Sequence, residues 1–216
     1  MYHFIEDKEF LGRMRKLCSD IVNQLVQEIN KDDFLNVKAY LVGSGARNLI
    51  TQNANNPIDL DYNLDVIESK CDINNGKEIK DYVQKVFNEV LNRNNWEDCQ
   101  DSTSALTTNK MHFTKGNQTS FSIDLAITKR DGSGNLYRLI HKKTGIVFHD
   151  EWYWNEIPKS KGLDKRIKWL KDNNKWGELR ETYLDKKNMY LKGNDYDHPS
   201  FICYIEAVNE VYYKYN

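Results

Sequence analysis

The sequence predicts an α/β (α+β) fold, with a mixed sheet flanked by helices over residues 1–145 and a helical C-terminal subdomain over residues 146–216. Three observations predict it. Apolar residues recur at three- and four-residue steps in two long segments of the first part. They alternate at two-residue steps in segments between and after these. Beyond about residue 145 the helical period dominates.

The first helix is expected over residues 7–29, where Phe10, Met14, Leu17, Ile21, Val22, Leu25 and Ile29 make one apolar face. A short strand over 37–42 stops at Gly43-Ser44-Gly45, and a short helix is expected over 46–50. The Asn-rich stretch 51–57 ends in Pro57 and reads as a loop. Ile58, Leu60, Tyr62, Leu64 and Val66 then point one way from a strand, and Asp59, Asp61, Asn63 and Asp65 the other. A second long helix is expected over 77–94. Strands over 110–114, 121–128 and 136–141, joined by Gly-containing turns, form an antiparallel meander at the sheet edge. A Trp- and Tyr-rich link, Trp152-Tyr153-Trp154, leads to helices over 163–172, 176–191 and 199–215. The last of these is expected to bury Phe201, Ile205, Val208, Val211 and Tyr212.

Bulk properties exclude several classes. A formal net charge of -1 offers no electrostatic case for a long nucleic-acid partner. The apolar runs are too short for a membrane span, and Met1–Asp7 has no signal-peptide core. Cys18, Cys71, Cys99 and Cys203 form no CxxC pair, so neither zinc nor a disulfide framework is indicated; free thiols in a reducing cytoplasm are expected. No two histidines stand four apart on a helix, which removes the zinc-protease reading.

The chemistry gathers in two places. Asp59 and Asp61 project from one strand face, and each can supply oxygen to a hard cation such as Mg2+ (or Mn2+). Asp124 lies on another strand, with Ile123, Leu125 and Ile127 turned the opposite way. If the two strands are neighbours, the three acids can bind metal for a phosphoryl displacement. Gly43-Ser44-Gly45 stands between a strand and a helix, where backbone amides attract phosphate, and Arg47 lies one turn in.

Val42-Gly43-Ser44, Ile58-Asp59-Leu60-Asp61-Tyr62 and Ile123-Asp124-Leu125 together resemble the signature of the polymerase-β-like nucleotidyltransferase superfamily. The resemblance covers roughly residues 35 to 130. It implies a nucleotidyltransferase-type mixed sheet and an NTP substrate, such as ATP, with Gly43 and Ser44 on its β- and γ-phosphates. It implies Asp59 and Asp61 as ligands of two metals. Asp124 would help bind the catalytic one and act as base toward an acceptor hydroxyl. The acceptor class stays open among a nucleotide, a small molecule, a tRNA end and a protein side chain, and so does the oligomeric state. The gap from Asp61 to Asp124 holds a whole helix. That suits members making oligoadenylates or cyclic nucleotide signals, and poly(A)-polymerase-like members, better than the minimal antitoxin-like ones.

The competing readings are a non-catalytic nucleotide- or partner-binding protein of the same fold, of toxin–antitoxin type, and a metal-dependent hydrolase. Asp65 is expected to be solvated. Trp152 and Trp154 are expected to pack between lobes rather than stack a base. Lys161, Lys165, Arg166 and Lys168 are expected to form a solvated helix face, with triphosphate contact as the alternative. His149-Asp150-Glu151 is expected to be a loop, and Lys110 and Arg138 flank the Asp124 strand.

Overall fold

A computed structural model describes residues 1–196 and 198–216. In chain order the elements are β1 (Tyr2–Phe4), α1 (Lys8–Ile29), β2 (Leu35–Leu41), α2 (Gly43–Arg47), β3 (Thr51–Asn53), β4 (Ile58–Ser69), α3 (Gly76–Arg93), β5 (Gln100–Asp101), β6 (Leu106–Thr107), β7 (Phe121–Arg130), β8 (Leu136–Lys142), β9 (Glu151–Glu156), α4 (Leu163–Asp172), α5 (Trp176–Lys192) and α6 (Ser200–Lys214). They form two compact units, one of residues 7–48 and 57–158, the other of residues 1–6, 49–56 and 159–216.

The larger unit holds a seven-stranded mixed sheet in the order β2-β4-β7-β6-β5, with β8 on β7 and β9 on β8. β4 and β7 run parallel, while β2 pairs with β4 antiparallel. The alternation read from β4 has a direct cause. Leu60, Leu64, Ile123 and Leu125 are fully buried on one face, as are Met14, Ile21 and Leu25 of α1 and Val83, Phe87 and Val90 of α3. Burying each such side chain contributes roughly 1.5–3 kcal/mol, so a one-residue slip of β4 would expose the whole set. Tyr62 faces α1 as well, with its hydroxyl 2.9 Å from Ser19 Oγ. The helices begin where their caps dictate. Asp7 accepts from the Phe10 amide, and Asn75 accepts from the Glu78 amide while donating to Glu78 Oε2.

Several local readings change. α2 starts at Gly43, so Gly-Ser-Gly lies inside the helix rather than ahead of it. The expected loop 51–57 contains β3, which pairs with β1. Residues 110–114 form no strand; Met111 makes only a bridge to Phe121. The sheet positions beyond β7 are taken instead by β6 and β5, of two residues each, too short to show a period. The Trp-rich link is strand β9, paired along its whole length with β8. Its pattern escaped because Trp152, Tyr153 and Trp154 are apolar on both faces. One compact unit runs to residue 158, and residues 1–6 and 49–56 group with the helical segment 159–216.

In the smaller unit, α4, α5 and α6 enclose Leu163, Leu170, Leu179, Tyr183, Tyr204, Val208 and Val211, together with Leu49. Phe201 is 42% exposed, outside the buried stripe expected of it; Cys203, Tyr204 and Ala207 fill that face instead. Asn188 of α5 clamps β1 by accepting from the Tyr2 amide and donating to the Tyr2 carbonyl. Arg166 is occupied by Asn209 and the Lys161 carbonyl, while Lys161, Lys165 and Lys168 are exposed.

Lys187 of α5 yields a first testable outcome. Its Nζ lies 2.8 Å from Thr51 Oγ1 and 3.9 Å from the centre of the Tyr2 ring. Burial pushes its pKa down from 10.5 to about 8. Below pH 8 the amine is protonated in both states, and folding carries the full cost of burying the charge. Between pH 8 and 10.5 the unfolded chain binds more protons, so stability climbs. A Lys187→Met variant should lack that climb. The wild type should therefore gain about 3 kcal/mol relative to the variant across this window, measured by urea unfolding at each end of it. A pH-independent difference would show that the ammonium stays hydrated.

Candidate nucleotide and metal site

β4 sets the first two carboxylates. The buried face takes Ile58, Leu60 and Tyr62, so Asp59 and Asp61 necessarily emerge on the other. The parallel register then places Asp61 opposite Asp124 and Asp59 opposite Ser122. Paired positions on neighbouring strands share a face about 4.8 Å apart, so the three acids meet on one surface of the sheet.

The carboxylates are held, not loose. Ser122 Oγ donates to Asp59 Oδ1 at 2.5 Å, and Thr107 Oγ1 donates to Asp124 Oδ1 at 2.6 Å. Burial, then the charges of Asp124 and Asp59, push the Asp61 pKa up to about 6, against the pull of Arg138 and Arg47. Asp124 is also raised, chiefly by burial, with the Thr107 hydroxyl opposing. Ser122 and Thr107 are site residues the sequence reading missed. Ser122 could have been found, since it stands two before Asp124 on the same strand face. Thr107 had no signal, because β6 is two residues long.

Gly43 brings the turn after β2 against this cluster. The Val42 amide donates to the Asp61 carbonyl at 2.8 Å. Gly43 sits at φ +61, and a Cβ there would run into Asp61 Oδ2 and lie 3.1 Å from its Cγ. Only glycine meets both demands. Val42, the N-cap of α2, makes no side-chain cap hydrogen bond. Arg47 Nη1 donates back to the Gly43 carbonyl at 2.8 Å, and its charge acts on Asp61.

A Gly43→Ala variant should lose about 1–2 kcal/mol from the left-handed backbone alone and should also displace the Asp61 carboxylate. Gly132, where an added Cβ meets nothing within 4 Å, supplies the control. Urea unfolding of Gly43→Ala and Gly132→Ala distinguishes a local clash from a general cost of removing glycine.

Asp65 is a correction. It is 3% exposed, not solvated, because Thr128 Oγ1 donates to its Oδ1 and Arg130 Nε to its Oδ2. Trp152 stacks on His141, and Trp154 Nε1 donates to the Ile73 carbonyl. His149-Asp150-Glu151 is partly structural, since Asp150 Oδ2 lies 3.0 Å from His141 Nε2.

The donor chemistry suits a hard divalent cation such as Mg2+. Among the described residues no three metal-ligating groups already converge, and the hydroxyls of Ser122 and Thr107 account for where Asp59 and Asp124 turn. Asp59, Asp61 and Asp124 nonetheless present carboxylate oxygens on one face of the sheet, and burial raises the proton affinity of Asp61 and Asp124, the donor chemistry that a divalent cation would suit.

No protein-family model matches this chain, and no curated protein does. Solved structures match its fold. E. coli CdnC in a complex with HORMA-deltaN aligns at TM-score 0.59 and 14% identity over 97% of this chain and 61% of that one. E. coli CdnC with ATP aligns at TM-score 0.58 and 14% identity over 93% and 60%. The Vibrio cholerae di-nucleotide cyclase DncV, in complex with GTP, aligns at TM-score 0.57 and 11% identity over 96% and 69%. The chain spans about three fifths of the CdnC chains, 61% and 60%. The chain thus shares the α+β fold of these structures, a mixed sheet flanked by helices, which is the fold class the sequence predicts. Among the described residues no helix is long and apolar enough to cross a membrane.

Proposed function

We propose that this chain is a metal-dependent nucleotidyltransferase that moves a nucleoside monophosphate from an NTP to a hydroxyl acceptor and releases pyrophosphate. The observation that carries this reading is the register of β4 against β7, which sets Asp61 opposite Asp124 with Gly43 pressed on Asp61. In this reading the amides of Gly43 and Ser44 bind the β- and γ-phosphates, and Arg47 adds positive charge beside them. Asp59, Asp61 and Asp124 hold Mg2+ or Mn2+. The bound metal supplies Lewis acidity and neutralises charge on the phosphates. The acceptor oxygen attacks the α-phosphorus as the bond to the pyrophosphate oxygen breaks. Its proton passes to the Asp124 carboxylate, and pyrophosphate leaves with the bonding electrons.

CdnC and DncV are solved with ATP and GTP respectively, which supports purine NTPs as the first substrates to try. The test is pyrophosphate release from each of the four NTPs with Mg2+ or Mn2+, alone and with a boiled cell extract as acceptor source. NTP-dependent stabilisation without release, in every condition, would favour a non-catalytic binding protein of the same fold.

A further inference from the structure

Thr107 and Ser122 each hold an acid of the candidate site, but they turn those acids in different directions. The strand order decides which. β7 lies between β4 and β6. Ser122 of β7 stands opposite Asp59 of β4, so its hydroxyl bond turns the Asp59 carboxylate toward the strand that carries Asp124. Asp124 has Asp61 of β4 opposite it on one side and Thr107 of β6 opposite it on the other. The Thr107 hydroxyl donates to Asp124 Oδ1 at 2.6 Å. That bond turns the Asp124 carboxylate toward β6, away from Asp61. Two oxygens on one Mg2+ stand at most roughly 4.2 Å apart, because each lies about 2.1 Å from the ion. Neighbouring strands already stand about 4.8 Å apart, so Asp61 and Asp124 must lean together to share a cation. Thr107 imposes the opposite lean, and among the described residues no three metal-ligating groups converge.

Thr107 is itself anchored. Its hydroxyl lies 3.2 Å from Ser102 Oγ, its strand pairs with β5, and the Ile123 amide donates to the hydroxyl of the next residue, Thr108, at 2.9 Å. The Thr107 hydroxyl is therefore not free to follow Asp124 toward Asp61, and their bond must break if the two acids are to meet. A cation and Thr107 thus compete for one carboxylate. We propose that Thr107 is a positioning residue that holds Asp124 apart from Asp61 and so sets the affinity of the site for a divalent cation. The role of that cation rests on the transferase reading, whereas its affinity is measured without any turnover. A hydrogen bond to a charged acceptor has a net worth equivalent to roughly tenfold or more in a binding constant, so its loss should appear as a gain of that order. A hydroxyl that supported a metal ligand would act in the other sense, its removal weakening metal binding by roughly 10–100-fold.

The test is Mn2+ binding to the full chain without NTP, read from the electron paramagnetic resonance signal of free Mn2+. Thr107→Val keeps the side-chain shape and removes the hydroxyl, Thr107→Ala removes it with less bulk, and Thr107→Ser keeps it. Circular dichroism identifies which variants fold, and Thr107→Ala serves where Thr107→Val does not. Thr107→Val should bind Mn2+ about tenfold more tightly than the wild type, with Thr107→Ser close to the wild type. In an Asp124→Asn background the gain should vanish, because the carboxylate that the hydroxyl holds is gone. Equal or weaker binding by Thr107→Val, no binding by either protein, or a gain that persists with Asp124→Asn overturns the role of Thr107. Pyrophosphate release from the same samples separates the two ideas. Release with Mn2+ affinity unchanged by Thr107→Val removes the role of Thr107 and leaves the transferase; the tenfold gain without release in any sample does the reverse.

Discussion

Asp61→Asn is expected to reduce pyrophosphate release by roughly 10²–10³-fold, while making the metal-free protein more stable. The substitution keeps the shape and removes the charge. The first effect follows if Asp61 is a ligand of the metal that neutralises the transferring phosphate, because single electrostatic contributors to such steps are typically worth ~10²–10³. The second follows from the geometry alone. Asp61 is half-buried opposite Asp124 and beside Asp59, and its pKa is pushed up from 3.8 to about 6. A shift of that size corresponds to roughly 3 kcal/mol of unfavourable ionisation at neutral pH. That figure already includes the attraction to Arg47 and Arg138; desolvating the asparagine amide in the same place offsets part of it, leaving a gain of about 1–2 kcal/mol, or a few degrees in Tm for a chain of this size. Thermal unfolding in EDTA and the pyrophosphate assay check the two halves independently. A variant less stable than wild type in EDTA would show that the cationic neighbours outweigh the repulsion. A variant that still turns over would remove Asp61 from the metal.

Lys80→Met is expected to have the largest effect on stability, a loss of roughly 3 kcal/mol. Lys80 is 2% exposed, and its Nζ lies 2.5 Å from Asp101 Oδ1 and donates to the Ser102 carbonyl. Asp101 in turn meets His141 Nδ1 at 2.6 Å, and His141 Nε2 meets Asp150. Methionine fills the Lys80 space yet leaves Asp101 without its cation. The double variant Lys80→Met/Asp101→Asn should therefore recover part of the loss, and a urea double-mutant cycle measures the coupling. Additive losses would show that the pair contributes separately. The same network reaches the candidate site: Ser102 Oγ is 3.2 Å from Thr107 Oγ1, which donates to Asp124. Lys80→Met should thus also lower NTP turnover at temperatures where the variant remains folded.

The sequence by itself determined the features that depend on local period. α1 and α3 were readable because their apolar residues recur at helical steps, and β4 because Ile58 to Val66 alternate. That alternation also separates Asp59 and Asp61 from the core. What only the tertiary structure decided depends on pairing between distant segments. Nothing local sets Asp61 opposite Asp124, or brings the Thr107 hydroxyl to Asp124 from a two-residue strand. Nothing local pairs Trp152-Tyr153-Trp154 with β8, or joins β1 and β3 to the helical unit. Asp65 shows the difference most directly. Its alternation matches that of Asp59 and Asp61, and local pattern would leave all three in water. Arg130 and Thr128, 63 or more residues away along the chain, bury it. Side-chain direction is a property of the strand, whereas the partner that direction meets is a property of the sheet.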